Sequence, residues 1–182
     1  MKTLYALACL CLAPLVSSAG LRTGFAEKDI TPEIGMEVPG GYGKAFAKRI
    51  HDPCKVRAVV FDDGKQRVAM VGLDALVVPQ FLVLEARKLI QERCGIAPEA
   101  VMIGASHSHS SGPTGMVLPG DFDHASDLAK DLAYNKSSCA DPKYLVTVRD
   151  AIVEAVVTAD SARGEVTAGF GSGKEDTASL IL

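Results

Sequence analysis

Short apolar runs broken by glycine and proline alternate along this chain with two stretches of helical period, an order that predicts a mixed α/β fold, a β-sheet flanked by helices. Thr23 to Ile30 reads as a first strand, closed by Thr31-Pro32, because proline drives its predecessor out of helix and ends ladder pairing. Pro39-Gly40-Gly41-Tyr42-Gly43 follows, so the backbone either turns sharply there or something approaches it closely. Val56 to Phe61 and Arg67 to Leu73 are β-rich runs separated by Asp62-Asp63-Gly64-Lys65-Gln66, a strong hairpin signal. The run Val68 to Leu73 is apolar without alternation and reads as an inner strand covered on both faces. It ends at Asp74.

Phe81 to Arg93 has a helical stripe of Phe81, Leu82, Leu84, Ala86, Leu89 and Ile90, with Gly95 as its stop. Ala100 to Ala105 is a second buried strand. Strand, helix and strand make a βαβ unit if the two strands are parallel neighbours. Ligands in such sheets gather beyond the carboxyl ends of strands, where Asp74 and His107 both fall. Gly112 to Ala140 shows no clean period and reads as a long loop with a helical turn near Ala129. Loops of that length in compact domains are usually functional or disordered. Asp141-Pro142 opens a second helix, an N-cap residue followed by proline at the first helical position. Its stripe is Tyr144, Leu145, Val148, Ile152, Ala155 and Val156. Gly164 to Gly171 reads as a last strand.

The N-terminus changes the picture. Met1-Lys2, an apolar run from Leu4 to Val16 and the small residues Ser17-Ser18-Ala19 have the form of a secretory signal. The run is shorter than the roughly 20 apolar residues of a membrane span. Residues 1–19 are therefore expected to be a signal peptide and 20–182 the mature chain, secreted or periplasmic. About 160 mature residues suffice for one core. A net charge of −3 and the absence of a basic stripe give no footprint for nucleic acid. Cys54, Cys94 and Cys139 remain after the signal; three thiols cannot all pair within one chain, and none has Cys-x-x-Cys metal spacing. Buried small hydrophobes are the simpler reading for Cys54 and Cys94.

His107 and His109 lie one residue apart, directly after the second buried strand. In extended backbone such residues project to one side, and neutral imidazole is the commonest metal ligand. Zinc accepts it, and catalytic zinc keeps one position open for water. Spacing alone does not separate this reading from two solvent-facing histidines in a Ser-rich turn. The His-x-His pattern of metallo-β-lactamases continues to Asp and His, where this chain has Ser111 and Gly112. Barrel amidohydrolases carry such a pair on an early strand among repeated βα units, which are missing here.

The flanking residues separate the readings. Gly104-Ala105-Ser106-His107-Ser108-His109-Ser110-Ser111-Gly112-Pro113 resembles the Thr/Ser-His-Thr-His-Ser-Gly-Pro segment of the neutral/alkaline non-lysosomal ceramidases, with one extra serine. Asp29-Ile30-Thr31-Pro32 looks like that family's Asp-Ile-Thr motif, and Gly41-Tyr42-Gly43 like its Gly-Tyr segment. His51-Asp52-Pro53, the run Arg57 to Asp63 and Leu73-Asp74 are also similar. Each motif is short; their shared order from about Phe25 to Gly173 carries the resemblance.

The resemblance implies a zinc-dependent amidase that cleaves the N-acyl bond of ceramide to sphingosine and fatty acid. It makes His107 a zinc ligand and His109 a catalytic residue beside the metal, holding substrate or stabilising the oxyanion. The family's other ligands, a histidine, a glutamate and a tyrosine, come later in its catalytic domain, as do a required serine and arginine. The chain is accordingly expected to be the N-terminal portion of such a domain, inactive by itself. Thr177 to Leu182 departs from the relatives' Asn-Arg segment, which fits that expectation. Asp74 is a candidate for a hydrogen bond to a ligating histidine or, equally, a strand-end cap. His51 is a structural residue or lines the cleft beside Gly41 and Tyr42. Another N-acyl lipid or a smaller amide as substrate stays open, as does a secreted non-catalytic module.

Overall fold

The computed structural model describes residues 20–41 and 43–174. The expected signal segment, Tyr42 and the Thr177–Leu182 departure lie outside the described residues. The fold is mixed α/β. Strands β1 (Arg22–Asp29), β2 (Lys55–Asp62) and β3 (Arg67–Leu73) form an antiparallel meander. Helix α1 (Gln80–Cys94) then returns the chain to β4 (Val101–Ala105), which pairs parallel with β3. Helix α2 (Asp127–Lys130), helix α3 (Pro142–Ser161) and β5 (Gly164–Glu165) complete the order, and the sheet runs β4-β3-β2-β1-β5.

The hairpin forms where Asp-Asp-Gly predicts it. Asp62 Oδ1 accepts the Gly64 N–H at 2.9 Å, Asp63 Oδ1 accepts from Lys65 and Gln66, and Gly64 takes φ +83°. The βαβ unit is also present, with Gly95 at φ +72° ending α1. Asp141 caps α3 by accepting the N–H groups of Lys143 and Tyr144 at 2.8 and 3.0 Å.

One face of the sheet holds the core. Val56, Ala58 and Val60 of β2 stand in register with Leu73, Val71 and Ala69 of β3, all buried beneath α1 and α3. Leu82, Ala86 and Ile90 of α1 meet Val148, Ile152 and Val156 of α3 there. Burying each Val, Leu or Ile contributes roughly 1.5–3 kcal/mol before entropy is charged against it. Helix α3 lies so close to β1 that a Cβ at Gly24 would sit 2.0 Å from the Ala159 carbonyl oxygen.

Two expectations need correction. β3 is central but covered on one face only: Met70 is 41% exposed, in a cross-strand row with Phe25, Val59 and Met102. Both long helices pack on the opposite face, so an unbroken apolar run did not mean two covers. The last strand stops at Glu165, because its ladder partner β1 starts at Arg22; only Val166 adds one more bond, to the Leu21 carbonyl. The helical turn expected near Ala129 forms as α2, and it runs on into a π-helix over Asp131–Lys136. A change from i+4 to i+5 bonding leaves no trace in hydrophobic period.

Candidate functional site

Beyond Ala105 the chain keeps following the segment after β3 without being a strand. The Ser106 N–H donates to the Leu73 carbonyl at 2.9 Å and the Ser108 N–H to the Ala75 carbonyl at 3.0 Å. Between them His107 takes φ +60°, a left-handed conformation uncommon for residues with a Cβ and concentrated at functional sites. The extended backbone assumed from the spacing is therefore not the one adopted. The two imidazoles still converge, with ring centroids 4.9 Å apart in an edge-to-face arrangement at 75°. They line a cleft of about 450 Å³. Ser108 and Ser110 line a different, neighbouring cleft.

His107 Nδ1 lies 3.0 Å from the Leu76 carbonyl oxygen. A carbonyl can only accept, so this contact requires the proton on Nδ1 and leaves the Nε2 lone pair of the neutral ring free. A backbone carbonyl on one ring nitrogen is how metal-ligating histidines are commonly oriented. His109 makes no ring hydrogen bond among the described residues and is backed by Gly40. At Gly40 (φ +94°) a Cβ would sit 2.7 Å from His109 Cγ. The glycine cluster is thus a close approach as well as a turn, and Gly41 lines the same cleft.

The loop is pinned from below. A Cβ at Gly112 would lie 2.2 Å from Tyr144 Cζ, so the Gly112-Pro113 turn rests on that ring. The Tyr144 hydroxyl donates to the Ile30 carbonyl, and burial pushes its phenol above the ordinary range. The Asp29-Ile30-Thr31-Pro32 segment is knotted to Cys54, the residue before β2: Ile30 N–H donates to the Cys54 carbonyl at 2.9 Å, and Thr31 Oγ1 accepts the Cys54 N–H at 3.0 Å. Burial also raises the Cys54 thiol, leaving it unreactive, and all three described cysteines are unpaired.

Asp74 and His51 are not brought to the imidazoles. Asp74 Oδ2 accepts the Lys55 N–H and the Arg57 guanidinium, each at 2.9 Å, the geometry of a strand-end cap. His51 is exposed beside Asp52 and lines the neighbouring cleft of about 660 Å³. Tyr42 lies outside the described residues. The structure adds Leu76, Met116, Val117, Lys136, Ser137 and Ser138 to the cleft. No motif marks them; Lys136 to Ser138 arrive through the π-helix at the end of a loop without period. Ser138 Oγ donates to the Val38 carbonyl at 3.2 Å and the Cys139 N–H to Glu37 Oε2 at 2.7 Å, so this segment and the glycine loop are tied together. Among the described residues no group of three His, Cys, Asp or Glu side chains stands close enough to hold a metal.

No family model and no curated protein matches the sequence. Solved structures share its fold, two ceramidase structures among them. A neutral ceramidase from Pseudomonas aeruginosa superposes with a TM-score of 0.64 at 23% identity, over 82% of this chain and 23% of that one. A structure described as ceramidase complexed with C2 gives 0.57 at 23% identity, over 81% and 22%. The chain thus spans under a quarter of the length of either, and at this identity the likeness shows the fold.

Proposed function

We propose that this chain belongs to an exported zinc-dependent amidohydrolase, and that it contributes part of a site for N-acyl amides of the ceramide type. One observation carries the reading: two imidazoles converge beyond the carboxyl ends of parallel strands, one with its Nδ1 committed to a carbonyl and its Nε2 left to ligate. The fold shared with two ceramidase structures supports the same chemistry. The donor set suits zinc as far as it goes. Three protein ligands are usual, so we assign the missing donors to the remainder of a longer protein.

Zinc held there by His107 and donors from the rest of the protein would supply Lewis-acid polarisation of an amide carbonyl and a water of pKa about 7. The chain's own residues do the rest. Leu76 fixes the His107 tautomer, and the left-handed turn at His107 sets where its Nε2 points. His109, backed by Gly40 and without a ring hydrogen bond among the described residues, can donate to the oxygen on which negative charge develops. Leu76, Met116 and Val117 offer an apolar wall to an acyl chain and keep water from it. A second reading, a secreted module without catalysis, draws on the absence of a third donor among the described residues.

Zinc content and amide hydrolysis of the complete protein carrying this chain decide between them. His107→Ala is expected to remove most of the metal and all measurable cleavage of a ceramide substrate, with the circular dichroism spectrum retained. Equal zinc in the two proteins would sink the assignment.

A further inference from the structure

One basic residue that the amide chemistry does not use lines the cleft beside the imidazoles. Lys136 lines the same space as His107 and His109, and no carboxylate shares that lining. Among the described residues its ammonium forms no ion pair. Lys44, on the glycine loop, is by contrast neutralised by Glu37 at 2.7 Å. The Lys136 backbone is also fixed: Ser137 Oγ donates to the Leu132 carbonyl at 3.0 Å, and the next two residues are tied to the glycine loop. It closes a π-helix, a form that recurs at functional sites, and a cation suits the negative end of the helix dipole.

A lysine without a carboxylate partner on the lining of a concave, partly apolar cleft has the chemistry that recognises an anion. We propose that Lys136 is a specificity-determining residue that binds a carboxylate at the His107–His109 cleft. The ligand class is then N-acyl amides that carry, or on cleavage release, a carboxylate. This rests on the amide-hydrolase reading. In that reaction the water oxygen adds to the acyl carbon, the C–N bond breaks and a proton leaves with the amine, so one product is always a carboxylate. The bound group is either that acyl product or a carboxylate on the amine half of the substrate.

Two measurements on the complete protein test this, with Lys136→Met and the charge-conserving Lys136→Arg. Lys136 is exposed, so neither substitution disturbs the core. In the first, dodecanoate and dodecanol are titrated calorimetrically into chelator-treated protein. Lys136→Met should weaken dodecanoate about tenfold, the scale of one charge-assisted contact. Lys136→Arg should restore most of that loss, and dodecanol should be unaffected. Equal or undetectable dodecanoate affinity in wild type and Lys136→Met would overturn the proposal. In the second, N-dodecanoylglycine and N-dodecanoylethanolamine are compared as substrates. A rise in KM for the glycine amide alone identifies the substrate's carboxylate; unchanged KM with relief of dodecanoate inhibition identifies the product's. Wild type that cleaves neither amide defeats the amide-hydrolase reading, and the calorimetric comparison then decides Lys136 by itself.

Discussion

The two ends of the sheet treat their polar groups differently. At the hairpin end charges are paired and half-buried: Arg67 grips Asp160 with contacts of 3.0 and 2.9 Å, and Arg163 bridges Asp160 and Asp62. Its Nε lies 3.0 Å from Asp62 Oδ2 but off the hydrogen-bond direction, so that contact is Coulombic. At the opposite end His109 and Lys136 have no carboxylate partner among the described residues, and His107 keeps one nitrogen free. These groups are exposed, so water satisfies them at little cost to the fold while leaving them open to a ligand. Paired, half-buried charges at one end and exposed, unpaired groups beside a left-handed residue at the other separate a part of the fold built to hold from a part built to bind.

Substitutions at the closed end should break the fold before anything else. Gly24→Ala puts a methyl against the Ala159 backbone, which cannot rotate away; we expect a loss of about 3 kcal/mol. Urea unfolding measures it, and an unchanged midpoint would remove the close-approach account of α3 on β1. Next in size, Asp160→Asn leaves Arg67 without its anion. Its side chain is only 12% exposed, so screening is weak and roughly 2 kcal/mol should be lost. The loss should persist at high salt.

Gly40→Ala sharpens the comparison because the clash falls on a side chain. The left-handed φ costs about 1 kcal/mol, and the added methyl meets the His109 ring, which can move. Stability should drop modestly; on the proposed function, cleavage of an N-acyl substrate by the complete protein should fall roughly tenfold, since misplacing a group that acts on the substrate costs rate more than fold. Activity equal to wild type would show that His109 does not depend on this backing.

Local rules made the fold legible where they act alone. Asp-Asp-Gly gave the hairpin, Asp141-Pro142 the start of α3 and Gly95 the stop of α1, each borne out within about two residues. The uncovered face of β3 was not legible, because Met70 and Val68 carry apolar side chains whether or not a layer lies over them. The length of β5 depended on where its neighbour begins. At the site, spacing offered the convergence of His107 and His109 as one of two readings, and the backbone reaches it by a different route. Gly40 was readable only as a close approach of unknown object. Lys136 to Ser138 were invisible, since a π-helix and two side-chain ties to the glycine loop place them, and neither leaves a periodic signal.

The smallest effect tests whether the Asp29–Thr31 knot at the open end holds as the buried pairs do. The Thr31 side chain, then its N–H, then the Lys55 ammonium hold the Asp29 carboxyl down from its ordinary 3.8 to about 2. A depressed carboxyl pKa stabilises the fold above 3.8, and that contribution is lost as pH falls from there towards 2. Asp29 is half exposed, so solvent screening should reduce the contribution to about 0.5 kcal/mol. Asp29→Asn keeps the shape and removes the charge. The stability difference between wild type and variant, from urea unfolding, should be present at pH 6 and shrink between pH 4 and 2. Acid loss of the hairpin-end pairs is common to both proteins and cancels in that difference. A difference that stays constant across that window would mean the knot acts through packing and neutral hydrogen bonds alone, and that the Asp29 charge does not help to hold this end of the sheet.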